Sequence, residues 1–360
     1  MVDPVAARAQ KGRGAISNPD GRFEAARRIA VDDGWPRPEE DDPPPRATTL
    51  TVDASRTIIA RNESPDIPFE QSINPYRGCE HGCVYCYARP SHGYLGLSAG
   101  LDFETRLFFK PEAARLLRTE LSRPGYRPRP IALGSNTDPY QPIERRLRVT
   151  RQILEVLAAH RHPLTIVTKS AAVTRDIDIL APMARQRLAK VYVSITTLDP
   201  ELARRLEPRA SSPRLRLAAI AELAAAGVQT GVMTAPIIPA LTDHEIESLL
   251  EAAAAAGATS AGYTVLRLPF ELKDLFREWL ETHAPLRASH VLSRVAGLRG
   301  GKLNDPRFGS RLTGEGEDAR LIAARVRRAC DRLGLGRNDW ALDTSLFRVP
   351  AAPSPQLSLF

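Results

Sequence analysis

Apolar and polar positions follow two different periods along most of this chain, from about residue 50 onward. Short apolar runs predict buried strands, and apolar residues repeated every three to four positions predict helices that cover a sheet. The run PIALG at 130–134 is typical of such a strand, and VTRQILEVLAA at 149–159 is typical of such a helix. Strand and helix alternate with a repeat of about 35 residues, which indicates βαβ units and a parallel sheet.

The predicted elements lie in regular succession. Strands are predicted at 57–61, 71–74, 130–134, 164–168, 190–196, 228–236 and 262–268. Helices are predicted at 113–121, 149–159, 177–189, 215–226, 243–256, 272–282 and 289–294, with Thr242 or Asp243 as a cap and Gly227 and Gly257 as terminators. Six such βα units predict a parallel α/β barrel, in which chemistry takes place at the carboxyl ends of the strands.

Composition divides the chain into four predicted parts. Residues 1–50 are polar and rich in proline and glycine, which predicts a mostly disordered extension with a short helix at 23–31. The barrel is predicted at 51–300 and a helical extension at 301–349. The last part, 350–360, is predicted to be a flexible tail.

The stretch NPYRGCEHGCVYCYARP at 74–90 carries the strongest chemical signal. Cys79, Cys83 and Cys86 form a C-x3-C-x2-C array, and the fourth cysteine, Cys330, is far away in sequence. Three thiolates on one loop can bind three irons of a [4Fe–4S] cluster, which leaves the fourth iron open to another molecule.

The three cysteines have two other interpretations. A disulfide would leave one of the three thiols over, and nothing at the N-terminus has the apolar core of a signal peptide. A zinc site needs a fourth ligand, which His81 or His92 could supply, so zinc remains an alternative.

The cysteine array, with Tyr85 before its last cysteine, resembles the cluster loop of the radical S-adenosylmethionine (SAM) superfamily. NPYRGCEHGCVYCYAR and GSNTDPYQPIE resemble the branch that includes spore photoproduct lyase and DNA repair photolyase-like proteins. The resemblance implies a partial (β/α)6 barrel, related to the TIM barrel, with a [4Fe–4S] cluster on the three cysteines. It also implies that SAM binds the open iron and is reductively cleaved to a 5′-deoxyadenosyl radical.

Polar residues follow the predicted strands where a barrel would bind SAM. The residue types suit its amino, carboxylate and ribose groups, and the resemblance places the amino-group loop at 135–138. It also matches Lys169 and Ser194 to carboxylate and ribose contacts, and Tyr85 to the adenine; Arg209 is a second candidate for the carboxylate. The predicted cofactor-binding residues are Tyr85, Asn136, Thr137, Asp138, Lys169, Ser194 and Arg209.

Two residues are candidates for the radical chemistry. In the photoproduct lyases a cysteine after the second strand returns a hydrogen atom to the substrate, and here Ser135 stands where that thiol is expected. An O–H bond is too strong for this role, so repair by the known route is not implied. Tyr87, directly after the last cluster cysteine, is a candidate for a radical relay, and a packing role is its alternative.

The charge of the chain favours an anionic partner. The net charge is +8, the pI is about 9.6, and arginine is concentrated at 142–151 and 318–332. We expect a nucleic-acid substrate, with DNA favoured. Radical modification of RNA, a peptide or a small molecule remains open, as does a non-catalytic iron–sulfur or zinc module that binds nucleic acid.

The remaining expectations concern location and partners. No apolar run approaches the ~20 residues needed to cross a bilayer, so we expect a cytoplasmic protein reduced by flavodoxin or ferredoxin. The chain ends in a pentapeptide with three apolar side chains, which resembles the peptide by which bacterial proteins bind the DNA sliding clamp. Its residues are Gln356, Leu357, Ser358, Leu359 and Phe360.

Overall fold

The computed structural model describes residues 9–23, 47–336 and 340–350. The strands are β1 (Thr49–Val52), β2 (Ile59–Arg61), β3 (Gln71–Ile73), β4 (Tyr76–Arg77), β5 (Arg106–Phe109), β6 (Ile131–Leu133), β7 (Leu164–Thr168), β8 (Ala189–Ser194), β9 (Gln229–Ile237) and β10 (Ser260–Val265). The α-helices are α1 (Leu101–Thr105), α2 (Ala113–Leu121), α3 (Glu144–Leu147), α4 (Val149–Ala159), α5 (Ile177–Arg185), α6 (Pro200–Leu206), α7 (Pro213–Ala225), α8 (Ile246–Ala255), α9 (Leu272–His283), α10 (Ala288–Gly297) and α11 (Gly316–Leu333). The predicted helix at 23–31, beyond its first residue, and the tail peptide at 356–360 lie outside the described residues.

A seven-stranded sheet forms the barrel-like core. Its order is β10-β9-β8-β7-β6-β3-β2, with parallel neighbours from β3 to β10 and an antiparallel β2 at one edge. The six parallel strands confirm the predicted units of a partial α/β barrel. Ile131, Ile166 and Val191 are fully buried, as expected for strands covered by helices.

Most predicted elements lie where the apolar pattern places them, and two details of the prediction are wrong. The helix predicted to reach residue 189 ends at Arg185, because Arg187 turns the chain with a φ of 57° and β8 begins at Ala189. Neither Thr242 nor Asp243 caps the helix predicted at 243–256. The Thr242 hydroxyl instead accepts a hydrogen bond from the amide of Ile238 (2.9 Å), and the segment starts with a 3-10 turn at 243–245.

A second, three-stranded sheet was not predicted. Its order is β1-β5-β4, with β1 parallel and β4 antiparallel to β5. Because β4 ends at Arg77, it leads directly into Gly78 and Cys79. The small sheet therefore fixes the entry to the cysteine loop.

Residues 9–23 of the N-terminal extension pack against the rest of the fold. Ala15 and Ile16 are 1% and 4% exposed. The carbonyl of Ser17 accepts a hydrogen bond from the amide of Leu101 (3.3 Å), and Asn18 Oδ1 accepts one from the amide of Asp102 (2.8 Å). This segment, called the N-terminal strap below, packs against the region that follows the cysteine loop. The predicted domain boundaries stay a prediction.

The arginines of the two basic segments are partly neutralised within the fold. Arg325 on α11 pairs with Glu247 on α8 (2.6 Å), and Arg151 on α4 pairs with Asp178 (2.7 Å). Cys330 is partly buried against the core, as expected for a packing residue. Among the described residues, no helix combines the length and apolarity needed to cross a membrane.

Candidate active site

Cys79, Cys83 and Cys86 lie on a tightly turned loop between β4 and a 3-10 helix at Arg89–Leu95. The amide of Gly82 donates to the carbonyl of Cys79 (3.3 Å), and the amide of Cys86 donates to the carbonyl of Cys83 (3.2 Å). Cys79 and Cys83 are 7% and 8% exposed, and Cys86 is partly exposed. The loop therefore holds three thiols within eight residues and shields two of them from solvent.

The loop needs glycine at Gly78, which has a φ of 78°. A Cβ atom at this position would lie 2.7 Å from Leu107 Cδ2 and 2.8 Å from the carbonyl oxygen of Phe103. Any other residue at 78 would therefore be strained in its backbone and would also collide with β5.

Arg89 is fully buried and holds the cysteine loop through hydrogen bonds to its backbone. Its guanidinium donates to the carbonyls of Gly82 (3.0 Å) and Cys83 (2.8 Å) and to those of residues 99–100, and it forms an ion pair with Glu104. A buried charge of this kind is tolerated only when it is paired and its donors are used. Arg89 thus ties the backbone at two positions beside the thiols to the next segment of the chain.

The N-terminal strap joins this anchor. Glu104 also accepts hydrogen bonds from the amides of Gly14 (3.0 Å) and Ala15 (2.8 Å), and Arg13 donates to the carbonyl of Glu104 (3.1 Å). Glu104 is fully buried. One carboxylate therefore connects the strap to the arginine that holds the cysteine loop.

The thiols suit a cationic metal group. Burial raises the pKa of both Cys79 and Cys83; the negative charges of Asp138 and the other thiols add to this at Cys79, and that of Glu207 adds at Cys83. Three thiolates are therefore unfavourable here without added positive charge, and a bound metal group provides that charge. The donor set fits an iron–sulfur cluster, which takes cysteine thiolates as ligands.

The two histidines considered as zinc ligands each have a ring nitrogen near another polar group. No group of three or more His, Cys, Asp or Glu side chains in the described part of the chain converges as ligands of one metal ion. Nδ1 of His81 lies 3.3 Å from Asp138, and Nε2 of His92 lies 3.0 Å from the carbonyl of Arg106. In a [4Fe–4S] cluster each cysteine binds a different iron, so the thiols do not need to meet at one point.

The polar residues after β6 contact the cysteine loop. The Thr137 hydroxyl donates to the carbonyl of Gly78 (2.6 Å), and the backbone N–H of Asp138 points to the sulfur of Cys79. The Asp138 carboxylate faces His81 at 3.3 Å. Residues 137–138 thus lie directly beside the first cysteine.

Asp138 is buried and strongly hydrogen-bonded. Its carboxylate accepts from the Thr168 hydroxyl (2.7 Å) and from the amides of Lys169 (2.7 Å) and Tyr140 (2.8 Å), in addition to its contact with His81. Burial raises the pKa of Asp138, but the neighbouring His81 and these donors outweigh it and lower the pKa to about 2. Asp138 is therefore ionised at neutral pH.

Lys169 and Ser194 lie together at the ends of β7 and β8. Lys169 Nζ donates to Ser194 Oγ (3.0 Å) and lies 5.7 Å from the centroid of the Tyr85 ring. Lys169 is half-buried, and its charge lowers the pKa of the nearby Cys83 against the effect of burial. The structure therefore brings Tyr85, Lys169 and Ser194 together next to the second cysteine.

Tyr85 ends in a buried network. Its hydroxyl contacts Thr196 Oγ1 (3.0 Å) and donates to Glu207, which also pairs with the fully buried Arg216. Burial raises the pKa of Glu207, but Arg216 and Lys169 outweigh it and lower the pKa to about 2. The network fixes the ring of Tyr85 between the cysteine loop and the ends of the strands.

Arg209 lies apart from this group. Its guanidinium pairs with Glu80 (3.0 Å) and approaches the hydroxyl of Thr48 (3.5 Å). Arg13 of the strap donates to the same hydroxyl (3.4 Å). Lys169 and Arg209 are the two residues predicted to bind the carboxylate of SAM, and of these only Lys169 contacts Ser194.

Ser135, Asn136 and Tyr87 lie on the more open side of the site. Asn74 Oδ1 accepts from the amide of Asn136 (2.9 Å) and lies 3.3 Å from Ser135 Oγ. The Tyr87 hydroxyl donates to the carbonyl of Ser135, and the Tyr87 side chain is 49% exposed. Tyr87 therefore contacts the end of β6 through its hydroxyl and exposes its aromatic ring to solvent.

Four residues of this region were not predicted as site residues. Arg89 and Glu104 form a buried ion pair across 15 residues, and Glu207 is a buried charge whose partner Tyr85 lies 122 residues away. Arg267 faces Tyr87 with its Cζ atom 5.1 Å from the ring centroid. The position of Arg89 three residues after the last cysteine is a usable signal. The other three carry no local pattern.

Comparison with known proteins gives a consistent family. The model of the radical SAM superfamily matches residues 73–253. An uncharacterized protein of Mycobacterium tuberculosis is 42% identical over 231 residues, which is 63% of this chain and 68% of that protein. A protein of Pseudomonas phage M6 named radical SAM Nalpha-GlyT isomerase is 28% identical over 194 residues, which is 52% of this chain and 38% of that protein.

Solved structures share the fold. A variant of spore photoproduct lyase superposes with a TM-score of 0.58 at 18% identity over 80% of both chains. Spore photoproduct lyase complexed with dinucleoside spore photoproduct has a TM-score of 0.55 at 18% identity over 79% of both chains. A further variant, with bound SAM and the same dinucleoside, has a TM-score of 0.54 at 17% identity over 79% of both chains.

Proposed function

This chain belongs to the radical SAM superfamily, and we propose that it is an enzyme that binds a [4Fe–4S] cluster through Cys79, Cys83 and Cys86 and cleaves SAM reductively. One observation carries the proposal: Asp138, Lys169 and Ser194, at the ends of the strands, lie beside the cysteine loop, and the buried thiols of that loop favour a positively charged metal group. With both groups bound, the site would supply a 5′-deoxyadenosyl radical able to abstract a hydrogen atom.

The side chains suggest distinct roles toward SAM. Lys169 offers a cation for the carboxylate and Ser194 a hydroxyl for a polar group, while Tyr85 offers a ring face for the adenine. Both oxygens of Asp138 already accept hydrogen bonds from protein donors, which occupies most of the capacity of a carboxylate. We therefore assign Asp138 a positioning role, in which it orients His81 and the backbone of Lys169. We also assign Asn136 and Thr137 to contacts with SAM, as the sequence predicts.

We propose a nucleic-acid substrate, with DNA favoured. The net charge of +8 supports an anionic substrate. The structures with a similar fold include spore photoproduct lyase complexed with a dinucleoside spore photoproduct, which supports the same class of substrate here. Photolyase-like repair and modification of a base are both compatible with this substrate.

The known repair route needs a cysteine that donates a hydrogen atom, and this chain has Ser135 at the position where that cysteine is expected. The Ser135 hydroxyl lies 3.3 Å from Asn74, and an aliphatic hydroxyl is a poor hydrogen-atom donor. The exposed Tyr87 is the residue we assign to a radical relay, because its hydroxyl contacts Ser135 and it follows the last cysteine. A relative named as an isomerase favours a second candidate, a radical rearrangement of the substrate.

The test is product formation by the reconstituted protein under anaerobic conditions. With dithionite, SAM and DNA oligonucleotides, we expect 5′-deoxyadenosine, detected by mass spectrometry, and more of it with DNA than with RNA or peptides. Deuterium transferred from a labelled DNA substrate into 5′-deoxyadenosine would identify the abstracted hydrogen. Absence of SAM cleavage contradicts the radical chemistry; cleavage that no nucleic acid stimulates contradicts only the substrate.

The proposed partners follow from the same chemistry. A reduced flavodoxin or ferredoxin would supply the electron, and we place the protein in the cytoplasm because thiols remain reduced there. The tail peptide Gln356–Phe360 would bring the enzyme to DNA through the sliding clamp. The tail lies outside the described residues, which end at 350, so the support for this proposal comes from the sequence.

A further inference from the structure

Tyr87 spans the mouth of the barrel. Its hydroxyl contacts the carbonyl of Ser135, two residues after β6, and its ring faces Arg267, two residues after β10. Four strand spacings separate β6 from β10, which is about 19 Å in a flat sheet. The curvature of the sheet therefore brings both strand ends within reach of one side chain, directly after Cys86.

Arg267 carries an uncompensated positive charge at this mouth. It is half-buried, and in the described ranges no carboxylate lies within ion-pair distance of its guanidinium. The nearest carboxylate that influences it, Asp66, is engaged by Arg311 at 2.6 Å. Burial lowers the pKa of Arg267 and Arg311 lowers it further, while Tyr87 and Asp66 oppose this. A half-buried arginine without an ion-pair partner is stabilised when an anion binds to it.

Arg267 and the neighbouring Arg311 each lie against an exposed aromatic ring, Tyr87 and Phe308 respectively. Tyr87 is 49% exposed and Phe308 is 59% exposed, and the Cζ atom of Arg311 lies 4.8 Å from the centroid of the Phe308 ring. Rings beside a cationic groove are typical of sites that bind unpaired bases and the backbone that connects them. A phosphate at Arg267 would leave the adjoining base close to Tyr87 and the cysteine loop.

We propose that Arg267 binds a backbone phosphate of the substrate and that Tyr87 orients its guanidinium, so that an unpaired nucleotide lies at the mouth of the site. This inference rests on the proposed nucleic-acid substrate and adds which residue binds it and through which group. It also selects a single-stranded or locally opened substrate, because a phosphate bound at Arg267 beside the ring of Tyr87 belongs to one strand, whose unpaired base can then approach that ring.

The experiment measures binding of a fluorescein-labelled single-stranded DNA to the anaerobically reconstituted holoenzyme by anisotropy between 50 and about 200 mM salt. For Arg267→Gln we expect at least about tenfold weaker binding and a salt slope reduced by about 0.7, the value for one phosphate on a single strand. Arg267→Lys keeps the charge and should keep the slope. Arg332→Gln is the matched control, because Arg332 is paired with Glu251 on the outer helices (2.6 Å).

A second measurement locates the phosphate. Replacing single phosphodiesters of the oligonucleotide by neutral methylphosphonates should weaken binding of the unaltered protein at one linkage and leave Arg267→Gln insensitive there. Iron content and circular dichroism verify that each variant is folded and loaded. An unchanged salt slope with Arg267→Gln, in a protein that binds DNA, overturns the phosphate subsite. Failure of the unaltered protein to bind any oligonucleotide, with binding of an acidic peptide instead, overturns the proposed substrate class as well.

Discussion

The backbone of Gly14 lies against the carbonyl of Gly82, so closely that a Cβ atom at Gly14 would be 1.8 Å from that oxygen. Gly82 belongs to the cysteine loop and has a φ of 68°, a conformation that favours glycine. The N-terminal strap is therefore packed directly against the cysteine loop, although a segment of its composition is usually classed as a linker.

Gly14→Ala should make the protein bind the proposed iron–sulfur cluster less stably. The added methyl group cannot fit against the Gly82 carbonyl, so the strap or the loop must shift, at a cost of about 1–3 kcal/mol. We expect lower iron content after reconstitution and several-fold faster bleaching of the brown absorbance in air. Lys11→Ala, at an exposed position of the same strap, is the control and should behave like the unaltered protein. Equal bleaching rates in both variants would show that the strap does not protect the cluster.

Cys83→Ala should abolish both the iron–sulfur absorbance and SAM cleavage, because one of only three thiolate ligands is lost. Iron and sulfide analysis together with 5′-deoxyadenosine formation test this. Cys330→Ala removes a thiol that packs against the core and should retain both. Retention of full cleavage by Cys83→Ala would disprove the assignment of the cluster ligands.

Lys169→Met should weaken SAM binding by roughly ten- to a hundredfold, since a charge-assisted contact is worth about 1.5–3 kcal/mol. Equilibrium dialysis of labelled SAM against the reconstituted protein measures the effect, and iron content should stay constant. Arg209→Met should have the smaller effect, because Arg209 is paired with Glu80 outside the Lys169–Ser194 group. The reverse order would assign the carboxylate to Arg209.

The Glu207–Arg216 pair predicts a loss of stability in acid. The folded pKa of Glu207 is lowered to about 2, so the pair stabilises the fold above the unfolded pKa of about 4.3. That contribution is lost as the pH falls from about 4 to about 2. Glu207→Gln should destabilise the protein by about 3–5 kcal/mol at pH 7, because Arg216 stays buried without its partner, and should flatten the acid dependence. Urea unfolding of the cluster-free protein between pH 7 and pH 2 measures both; a parallel pH curve in the variant would contradict the assigned pKa.

Removal of residues 356–360 should abolish binding to the bacterial sliding clamp in a pull-down, because the apolar side chains proposed to enter the pocket of the clamp are lost. SAM cleavage should be unaffected, since the described residues of the site all lie between 13 and 311. Replacing Leu359 and Phe360 by alanine is the finer variant. Clamp binding that survives both changes, or that the full chain never shows, refutes the role of the tail.

The apolar pattern was sufficient to predict the alternation of strands and helices, the six parallel strands and several element boundaries to the residue. Such features depend on neighbours one to four positions apart, which a periodicity records directly. The cysteine loop is equally local, since its three thiols lie within eight residues. Its chemistry could thus be proposed from spacing and resemblance.

The surroundings of the loop could not be derived in the same way. Gly14 and Glu104 are 90 residues apart, and Tyr85 and Glu207 are 122 apart, so no local pattern marks these pairs. The choice between Lys169 and Arg209, the order of residues 9–23 and the approach of Arg267 to Tyr87 depend on how the sheet curves and what packs on its end. Buried charges are favourable only with their partners in place, and those partners come together only when the whole chain has folded.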